Sequence, residues 1–289
     1  MRPGLIGLGL MGLPIAQRIL KTGYELQVWN RSAERTLTLT STQVTVALTP
    51  ADLAKNCDTI LLCLSDETAV RQIVAILEPH LGAQHTVVDL STISARTTCE
   101  LAMLLKNNRG AEWIDCPMSG GVVGAEQGRL ILMAGGMAER MDAIRPLLAS
   151  FSQRISLMGP VGSGQMTKLC NQLIVASNSL LIAEAVRLAE THGVDAAQLA
   201  TSLAGGFADS LPLQILTPRM AARQHEPVQW RVSTLHKDLR TALEAATEQG
   251  LELPVAQQAL EQLTEALARW PQEDLSHIIG LYEHAPSCR

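Results

Sequence analysis

The sequence predicts an α/β N-terminal domain built on a mostly parallel sheet, followed by an all-α C-terminal domain and joined to it by a long inter-domain helix. Three observations predict this. Short apolar runs alternate with helical patterns through the first half, the rhythm of a parallel sheet with helices on both faces. From Gln165 onward no convincing strand follows, only helical periodicity. At 289 residues the chain has room for two domains of roughly 150 residues each.

In chain order, Leu5-Ile6, Leu26 to Trp29, Val44 to Ala47, Ile60 to Leu64, Val87 to Leu90, Trp113-Ile114, Leu130 to Ala134 and Ile155 to Met158 read as strands. Gly23 closes a helix from about Met11 to Thr22, and Thr49-Pro50 offers an N-cap with proline at the first helical position. Asp66 and Ser94 are further N-cap candidates. After Gly159-Pro160-Val161-Gly162 the texture changes, which sets the expected domains at 1–161 and 162–289. Helical patterns then cover about 165–191, 195–204, 209–222, 234–249, 253–268 and 274–283. The first is apolar nearly all round, which suits a helix buried between two domains or two subunits.

Composition excludes several function classes. Apolar residues make up 47% and charged residues 18%, enough for a sizeable core and too few charges for a disordered chain. The net charge is −5 and no run of Lys or Arg exceeds two residues, so the clustered basic charge of a nucleic-acid binder is missing. The six cysteines form no CxxC and the seven histidines no HxH, HxxxH or HExxH, so reduced thiols and no metal site are expected. Arg2 and the apolar stretch Gly4 to Ala16 imitate a secretory leader. That stretch holds four glycines and a proline, and the expectation is a cytoplasmic chain. The longest candidate for a membrane span, Leu173 to Ile182, is short and contains Asn and Ser, so no membrane partner is expected.

Gly7-Leu8-Gly9-Leu10-Met11-Gly12 is a GxGxxG turn between the first strand and the first helix. Gly7 permits the tight turn, Gly9 lets the backbone approach a pyrophosphate, and Gly12 lets helix and strand pack closely. The helix N-terminus offers amides and partial positive charge to the phosphates. The first domain is therefore expected to be of the Rossmann type. About 20 residues on, where an NAD-binding chain offers Asp or Glu to the ribose 2′-hydroxyl, this chain has Asn30, followed by Arg31, Ser32 and Arg35. A carboxylate repels a 2′-phosphate, whereas an amide, a guanidinium and a hydroxyl accept it through charge-assisted hydrogen bonds. NADP is expected over NAD; an incidental arginine in a solvated turn is the plainer alternative.

Asp115-Cys116-Pro117-Met118-Ser119-Gly120-Gly121 follows a strand, and its Ser-Gly-Gly turn can present amides and a hydroxyl to a carboxylate, or be a turn and nothing more. Gly162-Ser163-Gly164-Gln165-Met166-Thr167-Lys168 opens the long helix. A lysine in apolar surroundings near the positive end of a helix loses part of its preference for the charged form, as an acid/base near neutrality requires. The alternative is a lysine reaching back to solvent. Asn171 and Gln172 stand at i+3 and i+4 from it, on its face.

On these motifs the sequence resembles the β-hydroxyacid dehydrogenase family, which includes 3-hydroxyisobutyrate dehydrogenase, tartronate semialdehyde reductase and the glyoxylate/succinic semialdehyde reductases, with 6-phosphogluconate dehydrogenase a distant relative. Four ordered motifs carry the match over essentially the whole chain: Gly7 to Gly12, Asp115 to Gly121 continuing through Gly124-Ala125, Gly162 to Asn171, and Lys237-Asp238-Leu239. The resemblance implies that Ser119, Gly120 and Gly121 bind a substrate carboxylate and that Lys168 is the catalytic acid/base. It implies that Asn171 orients the reacting oxygen, with Gln172 beside it at the substrate. Lys237 would close over the cofactor or substrate, and Leu64, Ser65 and Thr92 would line the nicotinamide side. Gln172 departs from the family's usual Asn, Ser65 from a frequent Pro, and Met118 from a commoner Val.

The resulting expectation is an NADP-dependent oxidoreductase acting on a small carboxylate substrate, a short β-hydroxyacid or semialdehyde, and working as a homodimer or homotetramer. An imine reductase-like enzyme of the same fold and a non-catalytic NADP-binding scaffold are the alternatives; imine reductases usually lack a lysine at the position of Lys168.

Overall fold

The computed structural model describes residues 1–39 and 42–283, and the chain divides into two compact units, Met1–Lys168 and Leu169–Arg289. Cys288, among the expected reduced thiols, lies outside the described residues.

The first unit runs β1 (Pro3–Ile6), α1 (Gly12–Lys21), β2 (Leu26–Trp29), β3 (Val44–Val46), α2 (Pro50–Asn56), β4 (Thr59–Leu62), α3 (Glu67–Leu77), β5 (Thr86–Asp89), α4 (Ala95–Arg109) and β6 (Glu112–Asp115). It continues through β7 (Met118–Ser119), α5 (Gly121–Gln127), β8 (Leu130–Gly135), α6 (Ala138–Leu148) and β9 (Ser152–Gly159). The strands order as β3-β2-β1-β4-β5-β6-β8-β7, with β9 on β8. Pairing is parallel from β3 to β6, and β8 enters antiparallel to β6. The order reverses between β1 and β4, the switch point where open α/β sheets place ligands.

Side chains of the central strands alternate between two cores, as the period of two requires. Leu5, Leu61 and Val88 pack with Ile15, Ile19 and Phe151 on one face; Ile6, Leu62 and Val87 pack with Leu53, Ile73 and Trp113 on the other. The three expected caps are made: Thr49, Asp66 and Ser94 accept the amides of Asp52, Ala69 and Thr97. Two-residue β7 has no counterpart among the expected strands because it is too short to show a period.

The second unit is helical. α7 (Ser163–Thr191) starts within the first unit and leads into α8 (Leu199–Leu203), α9 (Leu211–Ala221), α10 (Val232–Glu248) and α11 (Pro254–Arg269). Leu180, Val186, Met220, Leu235, Leu239, Leu263 and Ile278 are among the side chains of its core. Two expected helices are reduced. The stretch 195–204 is a 3₁₀ turn followed by five-residue α8, and 274–283 is 3₁₀ over Leu275–Tyr282, where Ile278, Ile279 and Gly280 are poor helix formers.

The chain's own fold covers α7, expected to lie between two domains or two subunits, on only part of its surface. Ile174, Leu181 and Leu188 are 59%, 56% and 64% exposed, at seven-residue spacing along one side. By length and composition alone α7 could also cross a membrane, with a mean hydropathy of 1.4 over its most apolar 18 residues. Its uncharged run, 169–183, lies between Lys168 and Glu184 and falls short of the roughly 18 residues a sequence reading looks for.

Candidate active site

The turn after β1 is fixed by steric necessity. Gly7 has φ +102°, a backbone conformation that disfavours a side chain, and its N–H donates to the Trp29 carbonyl at 3.0 Å. A Cβ on Gly7 would run into the Cys63 carbonyl oxygen, and one on Gly12 into the Gly7 carbonyl oxygen. A Cβ on Gly9 would meet nothing within 4 Å. The protein itself has no need of a bare backbone at Gly9. The open space there, beside the N-terminus of α1, fits close approach of a dinucleotide's pyrophosphate. α1 also carries no acidic residue in its first turn to oppose an anion.

Asn30, expected at the cofactor, makes two bonds within the protein. Its Oδ1 accepts the Leu8 N–H at 2.8 Å and its Nδ2 donates to the Ser32 carbonyl at 2.9 Å. Arg35 donates to the Leu8 carbonyl at 3.3 Å. Asn30 therefore braces the glycine-rich turn, and the Leu8 N–H is already taken, with the Leu8 side chain in the core. The amides from Gly9 through Leu10 and Met11 to Gly12 remain at the helix end. Arg31 and Ser32 are exposed at the tip of β2, and Arg31 makes no ion pair among the described residues.

The loops after β4, β5 and β6 are tied together by residues that sequence reasoning did not single out. Ser91 Oγ accepts the Leu64 N–H at 3.0 Å, and Asp89 Oδ1 accepts the Ser91 N–H at 2.9 Å. Gln165, wholly buried, straddles Thr92: its Nε2 donates to the Ser91 carbonyl at 2.8 Å and its Oε1 accepts the Ile93 N–H at 3.2 Å. Asp115 Oδ1 and Oδ2 accept the N–H groups of Gly162 and Gln165, both at 2.8 Å, and so cap the start of α7. The only sequence clue to Gln165 was its place one turn before Lys168. Ser65 donates to Asp66 at 2.6 Å and serves the α3 cap.

Asp89 and Asp115 are neighbours across β5 and β6, and both are fully buried. Burial pushes the Asp89 carboxyl up to about 7, against the pull of its bonds to Ser91 and with Asp115 adding to the rise. Burial also raises Asp115, countered by the backbone amides of Gly162, Gln165 and Gly164. The Asp89 Oδ2 atom is buried without a hydrogen bond.

Ser119 ends β7, half-buried, and its hydroxyl has no hydrogen-bond partner among the described residues. Gly120 and Gly121 follow at φ +124° and +61°, exposed at the opening of α5. The turn thus holds a free hydroxyl and two backbone amides together. Lys168 is 7% exposed, in the second turn of α7 beyond the Asp115 cap.

Asn171 lies one helical turn farther on, in the second unit. Its Nδ2 donates to Gln172 Oε1 at 2.8 Å, and Gln172 Nε2 donates to Asp238 Oδ2 at 2.6 Å. Lys237 Nζ stands 3.2 Å from Asp238 Oδ1. Gln172, expected at the substrate, is 1% exposed with both ends of its amide engaged inside the unit. Lys237, expected over the cofactor, stands in an ion pair with Asp238.

Comparison with known proteins places the chain among nicotinamide-dependent oxidoreductases. Residues 2–159 match the NAD-binding domain of 6-phosphogluconate dehydrogenase, and residues 162–282 match the NAD-binding domain of NADP-dependent 3-hydroxyisobutyrate dehydrogenase. The chain is 33% identical to the 2-hydroxy-3-oxopropionate reductase of Escherichia coli over 260 residues, 88% of this chain and 87% of that protein. Among solved structures, 3-hydroxyisobutyrate dehydrogenase of Mycobacterium tuberculosis, solved with L-serine, shares the fold. Its TM-score is 0.89 at 24% identity over 98% of this chain and 99% of that one. Psf3 in complex with NADP+ and 2-OPP matches with a TM-score of 0.86 at 26% identity, over 97% and 100% of the two chains.

Proposed function

This chain belongs to the β-hydroxyacid dehydrogenase family, an NAD(P)-dependent group of oxidoreductases, and from that premise we propose that it prefers NADP and interconverts a short β-hydroxyacid and its semialdehyde with Lys168 as the general acid/base. The nicotinamide, when bound, supplies or accepts the hydride. The single observation that carries the assignment is Lys168: a lysine 7% exposed, near the start of a helix whose first turn is capped by the buried Asp115. In reduction Lys168 gives its Nζ proton to the substrate oxygen, and in oxidation it takes that proton back. The free Ser119 hydroxyl and the amides of Gly120 and Gly121 hold the substrate carboxylate, and Asn171 orients the reacting oxygen. Arg31 and Ser32, with no carboxylate at the tip of β2, support the preference for NADP.

The same reading takes α7 as a core helix of a cytoplasmic enzyme, not a membrane span, since its buried residues include the polar Gln165, Gln172 and Ser179. Ile174, Leu181 and Leu188 support a homodimer or homotetramer in which a second copy covers this side.

Steady-state oxidation of NADPH with 2-hydroxy-3-oxopropionate, glyoxylate, succinic semialdehyde and a cyclic imine tests the function. One of the three acids is expected to turn over. Lys168→Ala is expected to lower turnover about 10²- to 10⁴-fold with NADPH affinity nearly unchanged. Lys168→Arg is expected to be nearly as poor, because guanidinium holds its proton at neutral pH. Full activity of Lys168→Ala, or turnover of the imine alone, overturns the mechanism.

A further inference from the structure

Four polar side chains of the second unit form one continuous run: Asn171 to Gln172, Gln172 to Asp238, and Asp238 beside Lys237. The middle of the run is dry, with Gln172 1% and Asp238 3% exposed. A side-chain amide has a donating and an accepting end, and either can face a neutral neighbour. An ionised carboxylate only accepts. The Asp238 carboxylate, beside the Lys237 ammonium, therefore dictates how Gln172 is turned, with NH₂ toward Asp238 and carbonyl away. That carbonyl can only accept, so the amide next to it must donate. Asn171 is turned in the same sense: one N–H is committed to Gln172, and its Oδ1 and second N–H face elsewhere.

We propose that Gln172 is a positioning residue, a polarity relay by which the buried Asp238 carboxylate fixes the orientation of the Asn171 amide toward the substrate. This rests on the reading that Asn171 meets the reacting oxygen. The length of Gln172 is what makes the relay possible. An Asn at this position would carry its amide one carbon, about 1.5 Å, closer to the helix, and could not keep both bonds. With the orientation fixed, Asn171 needs no reorganisation when substrate arrives, and the benefit lies in binding and alignment. Lys237 takes part as the counter-charge, 3.2 Å from Asp238 Oδ1.

The relay makes a distinctive demand, namely that its charge can be moved one residue along without turning Asn171. In Asp238→Asn the Lys237 ammonium takes the new amide oxygen, so its NH₂ faces Gln172 and the polarity of the run reverses. In Gln172→Glu two carboxyl groups face each other. In the double variant Gln172→Glu/Asp238→Asn the two groups exchange chemistry: the introduced amide donates its NH₂ to the introduced carboxylate, which still accepts from Asn171. The readouts are the side-chain amide signal of Asn171 in ¹⁵N-labelled protein, identified by its loss in Asn171→Ala, and KM against kcat for the best semialdehyde. Each single variant is expected to shift the Asn171 signal and to raise KM about tenfold, with kcat changing less. The double variant is expected to return the signal and bring KM to within about threefold of the native value. An Asn171 signal indifferent to Asp238→Asn, or a double variant no better than the sum of the singles, overturns the relay. If Asp238→Asn fails to fold, Gln172→Met, matched in length and without an amide, must move the same signal. A native chain that reduces no semialdehyde sinks the functional reading, and the amide spectra still decide the relay.

Discussion

The turn after β1 and the Asn171–Lys237 run are held by opposite means. The first is shaped by what its residues lack: Gly7 and Gly12 are bare because the Cys63 and Gly7 carbonyls occupy the space a side chain would need. The second is shaped by what its residues carry, two amides, a carboxylate and an ammonium in series. A turn fixed by excluded volume is rigid before any ligand arrives, and its glycines lie within six residues. A run fixed by polarity is assembled from segments 66 residues apart and depends on the charge of one buried group. Substitutions should therefore act through the fold in the first case and through orientation in the second.

The largest effect breaks the turn. Gly12→Ala places a methyl inside the Gly7 carbonyl, backbone against backbone, and neither can step aside without parting β1 from α1. A loss of several kcal/mol is expected, on the order of a third or more of a typical domain's stability. Gly9→Ala meets nothing within 4 Å, so its thermal midpoint should stay near the native value while NADPH affinity drops. Calorimetry and cofactor titration of the pair check this. Similar losses of stability in both would mean that steric necessity does not distinguish the two glycines.

Within the first unit the buried carboxylates sharpen the contrast. Asp115 accepts two backbone amides, whereas Asp89 accepts one and leaves an oxygen unpartnered. Burial raises Asp89 to about 7, well above its unfolded value, so the folded chain binds more protons than the unfolded chain between about pH 4 and 7. Its contribution to stability is therefore full at the acid end, falls as pH rises through that window, and stays low above it. Asp89→Asn should remove this slope and raise the thermal midpoint at pH 8 by a few degrees, the shift of about 1 kcal/mol or less in a protein this large. Asp115→Asn should lower it, since an amide cannot accept from both Gly162 and Gln165 as the carboxylate does. Unfolding curves of the two variants from pH 5 to 8 decide the matter; a fall in both at pH 8 refutes the asymmetry.

The same division explains how much could be read from the sequence. β1, β4 and β5 were legible because β-branched and aliphatic runs bounded by turns have no other economical fold, and the caps at Thr49, Asp66 and Ser94 act within three residues. GxGxxG was legible because glycine is nearly the only residue its geometry admits. Gln165 and Asp238 were not assigned roles, because each acts through partners about 50 to 75 positions away that no local pattern marks. Asn30 stands in the expected place, and its bracing of Leu8 and Ser32 was not legible because its residue type alone suggests only a ligand for phosphate or ribose. The exposed side of α7 was not legible because an apolar helix looks alike in sequence whether its own chain covers it or not.

The smallest effect falls on the one cationic side chain at the tip of β2 that braces nothing. Arg35 is bonded to the Leu8 carbonyl, so replacing it would disturb the turn and the phosphate site together. Arg31 is exposed and has no ion pair among the described residues, so Arg31→Leu isolates the electrostatic contribution. NADPH affinity should fall about tenfold, about 1.4 kcal/mol, with NADH affinity unchanged. Asn30→Asp would be a poorer probe, because it also removes the donor to Ser32. An exposed guanidinium acts through solvent, and at 1 M salt the screening length shrinks to about 3 Å. The proposed preference for NADPH should therefore narrow as salt rises, while the Arg31→Leu ratio stays nearly flat. Isothermal titration of both cofactors at low and high salt reads both slopes, and equal affinity of the native chain for NADPH and NADH at low salt would remove Arg31 from cofactor choice.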